Sequence, residues 1–237
     1  MDRTTRGIIV GMTMGDGYLQ VRRRLQNGKY PYIAASMQVK HSASQVEYCK
    51  HKAELLRKAT GRKCEVRFYE ATAAGKKYQQ AQFMFSHPYI RVLYEWMYKG
   101  GKKFFDKQVM SYLTPHGIAL WYMDDGTGRV NRNNDCAITS CSTTIATMCS
   151  KEEVEVIIDY FKIEHGIEFK ARYDKRRPED KAWFIEANTV QSKQFAELVR
   201  PYMIPSMLYK LAHVDGLGSH EYGTTSRSAK AIWESKI

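Results

Sequence analysis

The sequence predicts an α+β protein made of two copies of one unit, each running helix–strand–strand–helix–strand–strand–helix. Two observations carry this. The segment GIIVGMTMGDGYL (residues 7–19) is answered by GIALWYMDDGTG (residues 117–128), which places Asp16 and Asp125 109 residues apart in a chain of 237. The segments that follow each of them also match in kind and order.

In each copy the apolar helical stretch is closed by Asp-Gly and followed by residues suited to a strand. MQVKHSASQVEYCKHKAELLRKATG (residues 37–61) is echoed by ITSCSTTIATMCSKEEVEVIIDYFKIEHG (residues 138–166). Both read as strand, polar turn and amphipathic helix ending at glycine. CEVRFYE (residues 64–70) and IEFKARYD (residues 167–174) alternate as strands do, and each copy closes with a strand, a helix and a basic residue. Two copies are too few for a solenoid. The expected organisation is a first half over residues 1–98, a basic linker over 99–111, a second half over 112–214 and a loosely docked, flexible tail over 215–237. The linker carries two glycines and four lysines, and Trp233 could anchor the tail.

The two Asp-Gly helices carry the chemistry. Thr4 or Thr5 should cap the first, and Thr114 followed by Pro115 should start the second. Gly7, Gly11 and Gly15 recur every four residues and form a stripe. Glycine in a helix costs about 1 kcal/mol relative to alanine, so such a stripe implies the close approach of another backbone. The second Asp-Gly helix is the expected partner. It has Leu120 and Asp124 where the first has Gly11 and Gly15, so the seam should be asymmetric. Gly17 and Gly126 fit the helix stops. Asp16 and Asp125 then sit at helix C-termini, which already carry partial negative charge. Two such acids brought together by parallel helices would repel unless a divalent cation joined them. The plainer alternative, Asp-Gly as a simple cap and turn, is weakened by the matched repeat.

Charge and cysteine usage narrow the class. Lys and Arg number 37 against 25 Asp and Glu, a net charge of +12 with an isoelectric point near 9.4, which favours a polyanionic partner. No apolar run is long enough to span a membrane, and MDRTTRG lacks a signal-peptide core. The five cysteines form no CxxC pair, so buried free thiols are expected. The expectation is a soluble, unexported protein in a reducing compartment, such as a bacterial or phage-infected cytoplasm or an organelle matrix.

IVGMTMGDG (residues 9–17) and IALWYMDDG (residues 118–126) resemble the two motifs of the LAGLIDADG homing endonucleases. YLTPHGIALWYMDDGTG (residues 112–128) and PYMIPSMLYKL (residues 201–211) are especially similar to the monomeric, two-motif, intron-encoded branch. The resemblance runs from about Gly7 to Leu211. It implies two αββαββα halves packed through their motif helices, with a saddle of antiparallel strands over double-stranded DNA. It also implies a monomer without an obligate protein partner, cutting a long, asymmetric site in a staggered fashion with Mg²⁺, for which Mn²⁺ would substitute. Asp16 and Asp125 inherit the metal-ligand role. Gly15 and Asp124 stand beside them as backbone donors or supporting groups. The family places one basic residue per half at the site. Lys210 matches one; its partner is Lys103, with Lys102 the other candidate, because Lys210 follows them by 107 and 108 residues and the repeat does not choose. His41, His51, His87 and His116 are expected to be packing or surface residues.

DNA recognition should fall to the strands, since a two-stranded ribbon fits the major groove. In the first half Gln20, Arg22 and Arg24 form one set, opposed by Ser36, Gln38 and Lys40. Arg67, Tyr69, Lys77, Gln80 and Gln82 follow on a later pair. The second half offers Arg129, Asn131, Asn133 and Thr139, then Lys170 and Arg172, with Lys175 and Arg177 in a turn-like stretch suited to gripping phosphate. Each is as readily a phosphate contact or a solvated residue as a base reader. The alternative function is an RNA-splicing maturase that takes intron RNA, or a DNA-binding protein without cleavage, on the same scaffold. A self-splicing intein is not expected, because a Cys or Ser start and a terminal His-Asn are missing.

Overall fold

The computed structural model describes residues 1–26, 30–73 and 75–216. The side chain of Arg24 and the tail from residue 217, with Trp233, lie outside the described residues.

Each half contains the predicted unit. The first comprises α1 (Arg3–Met14), β1 (Tyr18–Gln26), β2 (Tyr30–Ser42), α2 (Val46–Thr60), β3 (Arg67–Ala73), β4 (Lys76–Ser86) and α3 (Pro88–Met97). A hairpin of β5 (Tyr98–Lys99) and β6 (Lys102–Lys103) and the short α4 (Lys107–Ser111) follow, so the segment expected to be a linker has structure of its own. The second half repeats the unit in α5 (Pro115–Asp125), β7 (Gly126–Arg132), β8 (Ile138–Cys149), α6 (Lys151–His165), β9 (Lys170–Tyr173), β10 (Trp183–Ala187) and α7 (Thr189–Val199). A 3-10 segment, Pro205–Asp215, comes after it. Both sheets are antiparallel with equivalent strand orders, β1-β2-β4-β3 and β7-β8-β10-β9. One face of each sheet is apolar: Leu19, Met37, Val39, Phe83 and Phe85 in the first and Ile145, Ile185 and Ala187 in the second are all buried. The alternate residues face outward.

The halves meet where α1 lies against α5. A side chain on Gly7 would strike Thr114, one on Gly11 would strike the backbone of Gly117, and one on Gly15 would strike the carboxylate of Asp124. These pairs ascend both helices together, so the helices run parallel and their C-termini share one end. The bulk of α5 fits the glycine stripe of α1, as the asymmetry of the motifs required. Every residue of α5 from Gly117 to Met123 is buried, which is why its apolar character wraps all the way round.

Several local expectations need correction. Asp2, not Thr4 or Thr5, caps α1: its carboxylate accepts the Thr5 N–H at 2.8 Å, and Thr5 lies buried inside the helix. Thr114 does cap α5, accepting the Gly117 N–H at 3.3 Å. Gly15 rather than Gly17 ends α1; Gly126 does end α5, though neither Gly17 nor Gly126 has the left-handed conformation of a glycine stop. Their glycine character answers crowding instead, since a side chain at 17 would strike the Met12 carbonyl and one at 126 the Tyr122 ring. Among the cysteines, Cys49, Cys64, Cys141 and Cys149 are buried, but Cys136 is exposed. No helix among the described residues is long and apolar enough to cross a membrane.

Candidate functional site

The parallel seam brings Asp16, Asp124 and Asp125 to one end of the helix pair. The two lysines follow the same two-fold logic. Lys103 Nζ donates to the Gly15 carbonyl at 2.6 Å, and Lys210 Nζ donates to the Asp124 carbonyl at 2.9 Å. Gly15 and Asp124 hold equivalent positions, each immediately before its motif acid. Each ammonium therefore meets the negative end of a helix, where a cation is favoured.

Local structure delivers both lysines. Gly100 and Gly101 have φ of +57° and +78°, as a two-residue primed hairpin turn requires, and the turn folds Lys103 back toward α1. The hairpin is tied to β1 by the Tyr98 hydroxyl, which accepts the Leu19 N–H at 3.1 Å. Lys102 is exposed on the same hairpin, so it is Lys103 that reaches the motif helix. In the second half the Tyr122 hydroxyl donates to the Lys210 carbonyl at 2.7 Å, anchoring the 3-10 segment to α5.

Asp124 plays a different part from its neighbour. Its side chain is fully buried, and its oxygens accept from Lys52 Nζ at 2.5 and 2.7 Å and from the Asp16 N–H at 3.0 Å. Lys52, equally buried on α2, lies 4.3 Å from the centre of the Tyr48 ring and 3.2 Å from His41 Nε2. The other nitrogen of that imidazole, Nδ1, stands 3.5 Å from Asp16 Oδ2. Among the described residues, the ligand atoms of Asp16, His41 and Asp124 lie within 4.8 Å of one another.

Neither His41 nor Lys52 was recognised as part of this site from the sequence. The signals were there. Met37, Val39 and His41 are the inward set of β2, and Lys52 interrupts the buried stripe of Tyr48, Cys49, Ala53 and Leu56 on α2. A lysine in a core stripe implies a buried counter-charge, but only the fold shows which one.

Burial and crowded charge set the electrostatics. Burial, then the charge of Asp124, raises Asp16. Asp125 is pushed up to about 7 by burial, then by Asp124 and Asp16. Burial likewise lowers Lys103 and Lys210, opposed by the nearby aspartates. His41 is pushed down to about 4 by burial and then by Lys52. Asp125 stays high although Lys103 and Lys210 act to lower it, because burial and two acidic neighbours outweigh them. Hard carboxylate oxygens suit a divalent cation such as Mg²⁺, and the side chains of Asp16 and Asp125 are donors of that chemistry.

A profile of the family described as LAGLIDADG DNA endonuclease matches residues 6–195. The chain belongs to this family. Protein RecA of Mycolicibacterium flavescens is 32% identical over 209 residues, covering 86% of this chain and 45% of that protein. A probable intron-encoded endonuclease of Wickerhamomyces canadensis is 33% identical over 104 residues, covering 44% of this chain and 42% of that protein. Cytochrome b mRNA maturase bI2 of Saccharomyces cerevisiae is 24% identical over 217 residues, covering 87% of this chain and 47% of that protein. The chain spans about half the length of the curated relatives it matches. Among solved structures, the homing endonuclease I-WcaI bound to its DNA recognition sequence superposes with a TM-score of 0.68 at 22% identity, covering 89% of this chain and 86% of that one. The meganuclease I-SmaMI bound to DNA gives 0.55 at 8% identity, covering 98% and 97%. Both share the fold.

The outward sheet faces of this LAGLIDADG protein hold most of the residues expected there. Directly opposed residues share a face. The pairs Gln20–Ser36, Lys40–Gln82, Arg67–Gln82 and Tyr69–Gln80 therefore join one surface, with Gln38 opposite Tyr18 and Arg22 opposite Ala34. Lys77 does not belong to it. It lies opposite Thr72 on the other face and pairs with Glu70 at 2.9 Å; Tyr78 takes the outward position. In the second sheet Arg129 and Asn131 face outward opposite Ser142 and Ser140. Thr139 falls at a bulge, where its hydroxyl donates to the Asn131 carbonyl at 3.2 Å, and Ser140 replaces it on the surface. Asn133 closes the hairpin by accepting the N–H groups of Asp135 and Ala137, which commits its side chain to the turn. Lys170 and Arg172 are exposed, Arg172 in an ion pair with Glu186 at 2.6 Å. Lys175 is exposed in the next turn, where Arg177 approaches Asp174 at 3.7 Å.

Proposed function

We propose that this chain is a site-specific homing endonuclease that makes a staggered double-strand break in a long, asymmetric DNA target by Mg²⁺-dependent phosphodiester hydrolysis. The observation that carries the reading is the two-fold match at the seam, where each motif acid follows a carbonyl that holds a half-buried lysine. The DNA-bound state of the solved relatives and the net charge of +12 agree with a DNA partner.

Asp16 and Asp125 would hold the metal, which supplies Lewis-acid stabilisation of charge on the reacting phosphate. Lys103 and Lys210 each use one ammonium proton on a carbonyl and keep two donors for the phosphate oxygens as negative charge grows there. Water adds to phosphorus, the bond to the 3′ oxygen breaks, and that oxygen takes up a proton. The outward strands position the duplex through phosphates and read base edges with Gln20, Arg22, Gln38, Gln80, Gln82, Arg129 and Asn131. Both half-sites lie in one chain, so a single copy suffices for both strands.

The test is cleavage of a randomised duplex pool with Mg²⁺ by the wild type, Asp16→Asn and Asp125→Asn. Cut ends from the wild type alone support the reading. Intact DNA together with stimulated splicing of an intron RNA would sink it in favour of the maturase activity that the yeast relative's name describes.

A further inference from the structure

The two half-sites are alike in their acids and lysines but not in what stands behind them. Behind the half-exposed Asp16 runs a buried chain from Asp124 to Lys52 to His41, whose Nδ1 stands 3.5 Å from the Asp16 carboxylate. Asp124 also accepts the backbone N–H of Asp16. The chain therefore holds this residue by its main chain and sets an imidazole nitrogen beside its side chain. On the other side, the position equivalent to Asp124 is Gly15, which has no side chain. Asp125 therefore has no counterpart of Asp124 at the equivalent position.

The chain also decides which imidazole nitrogen of His41 carries the proton. An ammonium has only donors. Lys52 Nζ, 3.2 Å from Nε2, can make that contact only if Nε2 accepts. The remaining proton then sits on Nδ1, the nitrogen 3.5 Å from Asp16 Oδ2. An Nδ1–H so fixed faces the Asp16 carboxylate at 3.5 Å, with the Gln45 side chain as a second partner of the ring, and presents a donor rather than a metal ligand. Its ring is also packed against Tyr48, centroid to centroid at 5.0 Å, which limits its rotation.

We propose that Lys52 and His41 are positioning residues for Asp16 alone: Lys52, held by Asp124, locks His41 as the Nδ1–H tautomer, and His41 orients the Asp16 carboxylate for its cation. Histidines and carboxylates behind metal ligands act in this way, and their loss costs about 10- to 100-fold in metal affinity or activity. The first half-site is then preorganised by a relay that the second lacks, and the two strands of the target depend on different residues. This inference rests on the endonuclease reading for its consequence, but not for the tautomer itself.

The first measurement therefore needs no DNA. Imidazole ¹⁵N shifts of the full chain should show His41 protonated on Nδ1, with the Nε2–H form appearing in the charge-neutral double variant Lys52→Met/Asp124→Asn. An Nε2–H ring in the wild type would overturn the proposal. The second measurement uses the duplex recovered from the randomised pool, labelled on each strand. His41→Phe removes the donor while keeping the ring, and His41→Asn keeps a donor near the Nδ1 position. With His41→Phe, nicks should accumulate in one defined strand, the cut in the other slowing by about 10-fold or more. His41→Asn should recover most of the loss. Equal slowing of both strands, or no difference between the two variants, would assign His41 to packing and defeat the proposal. A wild type that cuts no DNA refutes the endonuclease reading instead. Mn²⁺ titration of the DNA-free protein then decides this inference: the affinity should drop in His41→Phe by the same factor and recover in His41→Asn, and an unchanged affinity would overturn it.

Discussion

At the scale of single residues, the buried charges govern stability. Lys52 and Asp124 are both fully buried and satisfy each other. Removing one partner of such a pair costs about 3–5 kcal/mol, because the other charge is left uncompensated. Lys52→Met should lose stability of that order in urea denaturation, whereas Lys52→Met/Asp124→Asn should recover most of it. Equal losses in the two proteins would show that the ion pair is not the cause. His213 provides a pH dependence away from the motif acids. It is buried with Nε2 2.7 Å from the Thr143 hydroxyl, and burial pushes it down to about 4 from its ordinary 6.5. Between these values the unfolded chain binds the proton and the folded chain does not. The contribution of His213 is thus complete above pH 6.5 and lost as pH falls through about 4. His213→Gln should flatten the stability profile measured across that window.

At the scale of elements, the glycine stripe of α1 reverses an ordinary rule. Glycine to alanine inside a helix normally gains about 1 kcal/mol. Here a methyl on Gly11 would strike the Gly117 backbone, which cannot move without displacing α5. Gly11→Ala should instead destabilise by about 1–3 kcal/mol, the usual cost of overpacking. Thermal denaturation checks the sign, and a stabilised variant would disprove the contact. The seam also explains the placement of Asp124. Only a residue without a side chain at 15 leaves room for that carboxylate, and the carboxylate gives the buried Lys52 its counter-charge. The glycine and the aspartate that stand at equivalent motif positions are therefore one device, not two substitutions.

At the scale of the whole molecule, the outward sheet faces and the net charge of +12 set the binding behaviour. If about 6–10 phosphates are contacted, affinity should fall by about 10³- to 10⁵-fold between roughly 50 and 200 mM salt. Gln82 pairs across strands with both Lys40 and Arg67, at the middle of the first sheet's outward face. Gln82→Ala should relax base preference at one position of the selected target, while Lys175→Ala should weaken all sequences alike. Titrations against a panel of singly substituted duplexes distinguish the two, and a uniform effect of Gln82→Ala would remove it from the base readers.

The repeat, the strand and helix order of each half and the paired acids were legible in the sequence. They follow from hydrophobic periodicity and residue spacing, which are local. The glycine stripe even announced that another helix would approach. Tertiary structure decided the rest, because it depended on distances between segments remote in the chain. It took the fold of the hairpin to bring Lys103 rather than Lys102 to Gly15, and a bulge in the β7–β8 pairing to put Ser140 rather than Thr139 on the outward surface. Above all, Asp124, Lys52 and His41 lie on three different elements, and no periodicity links them. Their union under Asp16 is a product of packing, where buried charges and imidazoles must find partners or destabilise the fold.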